Sequence, residues 1–181
     1  MEKFISVFNT INGVGVVLLQ VFAVLLLVSL VFYHKKPNVL LSFTSKNAYS
    51  IGFFISTMSM VLSLVYSEIV GFAPCMLCWY QRIFMYPQAF LFGMSVWKKE
   101  KLITDYSLVL AIVGLTVSIY HNFLSWLPSV NLPCSATGPS CTMLYTNIFG
   151  YITIPVMSMT GFMVVILSLL IMKNRTKFAL K

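Results

Sequence analysis

The chain has 181 residues, 59% hydrophobic and 9% charged, with a mean hydropathy of +0.91. A soluble domain carries roughly 25% charged residues, and a water-exposed surface with so little charge would present large apolar patches, so the composition excludes a soluble globular protein. The net charge of +8 does not point to nucleic acid either, because the basic residues mostly sit at the ends of apolar runs rather than on one face.

Crossing the bilayer takes about 20 mostly apolar residues, and five runs qualify. The first, roughly Ile11 to Tyr33, is uncharged. It exceeds the roughly 7–15 apolar residues of a signal peptide, and no small-x-small cleavage pattern follows, so it reads as a retained span. Lys35, Lys36 and Lys46 follow it. The second run, roughly Tyr49 to Val70, has Glu68 near its end. The third, roughly Cys78 to Trp97, has Arg82 one turn inside and is followed by Lys98, Lys99 and Lys101. The fourth and fifth cover roughly Tyr106 to Leu127 and Phe149 to Met172, before a tail with Lys173, Arg175, Lys177 and Lys181. Backbone polar groups in lipid need internal partners, and continuous rather than alternating apolar runs favour helices over strands.

Five spans put the termini on opposite sides. The Lys-rich segments 34–47, 98–101 and 173–181 then share one side, which the positive-inside rule makes cytoplasmic. Residues 1–10, 71–77 and 128–148 face the other side, and all four cysteines lie there or at its boundary. No internal repeat is evident. The spans also lack the matching pair of Gly/Pro-broken helices that marks a transporter; Pro87 and Pro155 are the only prolines within them.

Cys75-Met76-Leu77-Cys78 is a C-x-x-C motif, a pattern shared by zinc ribbons, haem attachment and thioredoxin-like redox sites. Pro74 disfavours helix just before it. The motif therefore opens the third span, where a helix N-terminus favours an anion by about 0.3–1 kcal/mol and a thiolate is the nucleophilic form. Arg82 follows Cys78 by four residues and shares its face. As a structural residue it is an interfacial arginine that snorkels to headgroups; as a functional one it favours the Cys78 thiolate or donates to a carbonyl of a bound acceptor.

Cys134 and Cys141 flank Gly138 and Pro139 in the last outer loop. A disulfide between them would close only that short loop and tie no helices together, a modest stabilisation. Exchange with a partner's thiolate suits such an exposed bridge better. A Cys₄ zinc site is compatible with the spacing, although cysteines on the oxidising side of a membrane tend to form disulfides. No metal is expected.

Pro74-Cys75-Met76-Leu77-Cys78-Trp79-Tyr80-Gln81-Arg82, then Tyr120-His121, then the pair Cys134 and Cys141, in this order, resemble the DsbB family of bacterial disulfide-bond formation proteins. The resemblance covers roughly residues 49–172. Vitamin K epoxide reductase relatives place the loop pair before the C-x-x-C. The resemblance implies a four-helix transmembrane redox bundle over 49–172, an additional N-terminal transmembrane helix and cytoplasmic loop over 1–48, and a basic cytoplasmic tail over 173–181. The fold class is thus an all-α membrane protein with five spans, in the bacterial cytoplasmic membrane.

The implied activity is reoxidation of an extracytoplasmic thioredoxin-fold, DsbA-like thiol oxidase, with electrons passed to a membrane quinone, ubiquinone or menaquinone. Cys75, Cys78, Cys134 and Cys141 would be catalytic, Cys134 being the better candidate for the mixed disulfide with the partner. Cys78, Arg82 and His121 would contact the quinone. His121 alone reads equally as a hydrogen-bonded boundary residue. Partners would be that oxidase and membrane lipid, with no nucleic acid. Two features depart from the family: the first span, and a loop pair closer in sequence than in longer-looped members. The competing class is a membrane scaffold with structural disulfides, which would resist a mild glutathione buffer that exchanges redox-active ones.

Overall fold

The computed structural model of the chain describes residues 2–32, 39–98, 103–126, 139–143 and 145–179, with backbone alone for 2 and 175–179. Among the described residues five α-helices carry the fold: α1 (Glu2–Phe32), α2 (Val39–Leu64), α3 (Met76–Lys98), α4 (Ile103–Trp126) and α5 (Ile154–Ala179). Among the described residues no strand forms beyond an isolated bridge between Ile148 and Ile152. Lys99, Lys101 and Cys134 lie outside the described residues.

Each boundary has a local cause. α2 begins ten residues before the apolar run expected from Tyr49, and leaves helical geometry at Asn47 (φ −108°, ψ 15°). There the Asn47 side chain bonds back to the Phe43 carbonyl at 2.9 Å, the local competition that makes Asn a poor interior helix residue. Beyond Leu64 the chain widens into a π-helical turn, Val65–Ile69, and stops at Gly71, whose φ of 82° suits glycine. α5 starts at Ile154, after Phe149 and Gly150 take positive φ. The Met157 N–H bonds to the Thr153 carbonyl at 3.0 Å, so Pro155 falls in the first turn, where its missing N–H is harmless.

α2 to α5 form a four-helix ring in which α2 packs on α3 and α5, and α4 on α3 and α5; α1 lies outside it, against α5 and α2. α5 is therefore covered on several sides, and Phe162, Val164, Val165, Leu169 and Ile171 are buried around its circumference. Close approach of α4 and α5 depends on Gly114: a Cβ there would lie 2.3 Å from the Phe162 ring.

α1, α2, α4 and α5 are long and apolar enough to cross a membrane. Leu18, Val21, Val24 and Leu25 on α1, and Val109 and Ile112 on α4, face outward as an apolar surface suited to lipid. α3 differs. Its 23 residues have the length of a span, but Gln81, Arg82, Gln88 and Lys98 dilute its apolar character. Gln81, Gln88 and Ser95 are buried against the other helices, so much of this polarity points into the bundle. At one end of the ring Lys173 and Asp105 form an ion pair at 2.6 Å between α5 and α4.

Candidate functional site

The C-x-x-C motif occupies the first turn of α3. The Cys75 carbonyl accepts the Trp79 N–H at 3.1 Å, which makes Cys75 the N-cap. Its Sγ accepts the Cys78 N–H at 3.4 Å, the bond an N-cap Ser or Asp oxygen would take. The Cys78 Sγ lies 2.9 Å from it, and both cysteines are free. These contacts favour a thiolate at Cys75. Its thiol is held well below the ordinary range, at about 4, chiefly by the hydrogen bond from Cys78; burial opposes this, while His121 and the Cys78 N–H add to it.

His121, buried on α4, joins the two cysteine regions. Its Nε2 lies 3.1 Å from the Cys141 carbonyl oxygen and 3.8 Å from the Cys75 Sγ. A carbonyl only accepts, so Nε2 carries the hydrogen. Nδ1 lies 3.1 Å from the Gln81 amide nitrogen, a donor, so Nδ1 accepts. The arrangement fits the neutral Nε2–H tautomer. Cys141 is buried and disulfide-bonded. Cys134, the expected contact for a partner, lies outside the described residues.

The ligating atoms of Cys75, Cys78 and His121 lie within 4.8 Å of one another, near enough to share a metal ion. Ligation through Nε2 would remove its hydrogen and its bond to Cys141, while Nδ1 is taken by Gln81. The geometry matches a hydrogen-bonded relay better than a ligand set.

Arg82 was expected to favour the Cys78 thiolate or to donate to a bound acceptor. Its Nε and Nη2 donate to the Ser63 hydroxyl at 2.8 Å and carbonyl at 3.0 Å, and its guanidinium sits 5.2 Å from the Trp79 ring centroid. This anchor on α2 satisfies two of the five guanidinium N–H donors. Glu68 accepts from the Ser67 hydroxyl at 3.0 Å. Arg82 and Cys78 both line a largely apolar cavity of about 180 Å³, with Gln81, Ser63, Met85 and Tyr66. Cys75 and His121 are not part of its wall. His121, expected near a quinone, meets the cavity through Gln81, which bonds its Nδ1 and lines the wall.

Cys75, Cys78, Arg82, His121 and Cys141 are therefore gathered at one end of the bundle. Gln81 and Ser63 belong to the same constellation but were not singled out from the sequence. Gln81 had a signal, being three residues after Cys78 and hence on its face. Ser63 had none, because its role depends on how α2 packs.

Residues 45–172 match the family described as "Disulfide bond formation protein DsbB". The "Probable disulfide formation protein C 1" of Bacillus cereus is 41% identical over 124 residues, covering 67% of this chain and 87% of that protein. The "Probable disulfide formation protein C 2" of Bacillus anthracis is 37% identical over 122 residues, with coverage of 67% and 87%. The "Disulfide bond formation protein C" of Bacillus subtilis is 36% identical over 122 residues, with coverage of 66% and 88%. No solved structure matches.

Proposed function

This chain belongs to the DsbB family of disulfide bond formation proteins, and on that premise we propose that it is a membrane thiol oxidase that reoxidises an extracytoplasmic thioredoxin-fold partner and delivers the electrons to a quinone. One observation carries the reading. The C-x-x-C pair has one sulfur on each side of a divide: Cys75 meets His121 and, through it, the backbone of Cys141, while Cys78 opens onto the cavity that holds Arg82.

The sequence of exchanges follows. Two thiols of the partner reduce the Cys134–Cys141 disulfide through a mixed disulfide, and the partner leaves oxidised. A loop thiolate then attacks the oxidised Cys75–Cys78 pair at Cys75. The loop disulfide re-forms and the C-x-x-C dithiol appears, with electrons and protons conserved. That dithiol gives two electrons and two protons to the quinone, which leaves as quinol, and Cys75–Cys78 is again a disulfide. The acceptor supplies the oxidising equivalents. The chain supplies the rest: an N-cap that favours sulfur anion, an imidazole that can move a proton between loop and helix, and a largely apolar cavity.

The cavity residues fit a quinone ring. Val16, Leu19, Met85 and Ile154 are apolar walls, and Arg82 keeps donors beyond the two bound to Ser63. We place α3 as the fifth span, with the cysteines outside the bacterial cytoplasmic membrane and the basic segments inside.

Replacing Cys78 with Ser tests the reading. Cys75 then has no resolving neighbour, and a disulfide linking it to the loop should accumulate, detectable as a crosslinked peptide by mass spectrometry. A Cys78→Ser protein that forms no such link and still oxidises a reduced partner with quinone would contradict the proposal.

A further inference from the structure

The helix outside the family match supplies part of the cavity wall. The match begins at residue 45, yet Asn12, Val16 and Leu19 of α1 line the same cavity as Cys78 and Arg82. Asn12 is a buried amide near the start of the apolar run of α1. A polar group at such depth is costly without partners, and Asn12 donates to the Tyr66 hydroxyl at 3.5 Å. That hydroxyl in turn donates to the Asn9 side-chain oxygen at 2.9 Å. Tyr66 also lines the cavity and sits in the π-helical turn of Val65–Ile69, a distortion frequent at functional sites.

α1 is fixed in place rather than resting loosely on the bundle. Gln20 donates to Thr160 on α5 at 3.4 Å and accepts from Tyr151 at 3.0 Å. Gly13 lets Ile148 approach so closely that a Cβ would lie 2.6 Å from it. A run of rings crosses the same end of the molecule: Phe4, Phe8, Tyr66, Phe72 and Tyr145, with successive centroids 5.9, 5.2, 5.8 and 4.8 Å apart. It ties α1 to the segment that follows Cys141.

Resting on the reading of the cavity as the acceptor site, we infer that α1 is a wall of the quinone site and that Asn12, with Tyr66, forms a polar contact for the quinone in addition to Arg82. A quinone ring has two carbonyl oxygens, and among the polar groups lining the cavity the guanidinium on α3 and the amide–phenol pair of α1 and the π-helical turn come from different elements. The additional helix thereby tunes which acceptor the protein accepts and how tightly.

The test uses the full chain in detergent with a short-chain soluble quinone. Val16→Trp should fill the cavity and raise the quinone KM by about tenfold or more, and Asn12→Leu should raise it by about three- to tenfold, the range of one lost hydrogen bond. In both, oxidation of partner thiols in a single turnover without quinone should stay unchanged. Leu18→Trp, on the outward face of α1, should leave the KM as in the wild type. Should a variant fail to fold, photolabelling of the wild type with an azidoquinone decides: label in the peptide spanning 12–19 supports the inference, and label confined to α2, α3 or α5 overturns it. Val16→Trp and Asn12→Leu proteins with wild-type KM would also overturn it, while leaving the acceptor site itself intact. A wild-type protein that completes the single turnover yet reduces no quinone would instead sink the acceptor reading, and this inference with it.

Discussion

The ionisation of Cys75 is the sharpest consequence of the N-cap geometry. An ordinary thiol is only about 3% thiolate at pH 7, whereas a Cys75 held at about 4 is almost wholly ionised there. The population gain is about thirtyfold. Intrinsic nucleophilicity falls as a thiol is acidified, with β near 0.4–0.5, so each Cys75 thiolate should be about a hundredfold less reactive than an ordinary one. The two effects nearly offset at pH 7, and the rate there is uninformative. At pH 5 they do not: the population gain reaches about three-thousandfold, and the net advantage is about thirtyfold. Burial slows any reagent equally at each pH, so the shape of the profile reports ionisation. The assay is alkylation of Cys75 by a small haloacetamide, followed by mass spectrometry, in a reduced protein whose loop cysteines are serine. The rate should be level from pH 8 down to pH 5 and fall by half near pH 4. Cys78→Ala removes the largest cause of the shift and should move the midpoint upward. A wild-type rate that climbs through pH 8 would refute the argument.

His121→Phe removes the donor to Cys141 and the acceptor for Gln81, and transfer between the two cysteine pairs should slow by about a hundredfold, the low end for a positioned proton-transfer group; stopped-flow with reduced partner measures it. Arg82→Lys cannot reproduce the paired donation to Ser63, so it should raise the quinone KM while leaving single-turnover thiol oxidation intact. Gly114→Ala places a methyl against Phe162 and should cost about 1–3 kcal/mol, seen as a lower midpoint in a thermal scan in detergent. Lys173→Ala breaks an exposed ion pair and should change stability by less than about 1 kcal/mol.

Much of the architecture was legible because hydrophobicity in a membrane is read by length. The apolar runs from Ile11, Tyr49, Tyr106 and Phe149 lie within α1, α2, α4 and α5 or overlap them closely. Misplaced ends have local causes: the Phe149–Gly150 turn delays α5 to Ile154, and the π turn at Val65 alters the exit of α2. The run from Cys78 lies within α3 as well, although its buried Gln81 and Gln88 dilute the apolar signal. Within the site, the Pro-Cys-x-x-Cys start revealed the helix N-terminus. The hydrogen-bond partners were not legible. Arg82 meets Ser63 and His121 meets Gln81 and the Cys141 carbonyl, because the rotation of α2 and α4 about their axes decides which polar residue meets which. Asn12 was silent for the same reason, its partner Tyr66 being visible only once α1 is docked.

Quinone reduction by the purified chain tests the central claim most directly. With a reduced thioredoxin-fold partner in excess, loss of quinone absorbance should match thiol oxidation, one quinone for each pair of thiols, and should cease in Cys78→Ser. Partner oxidation at the wild-type rate by Cys78→Ser, or thiol oxidation with quinone absorbance unchanged, would contradict it.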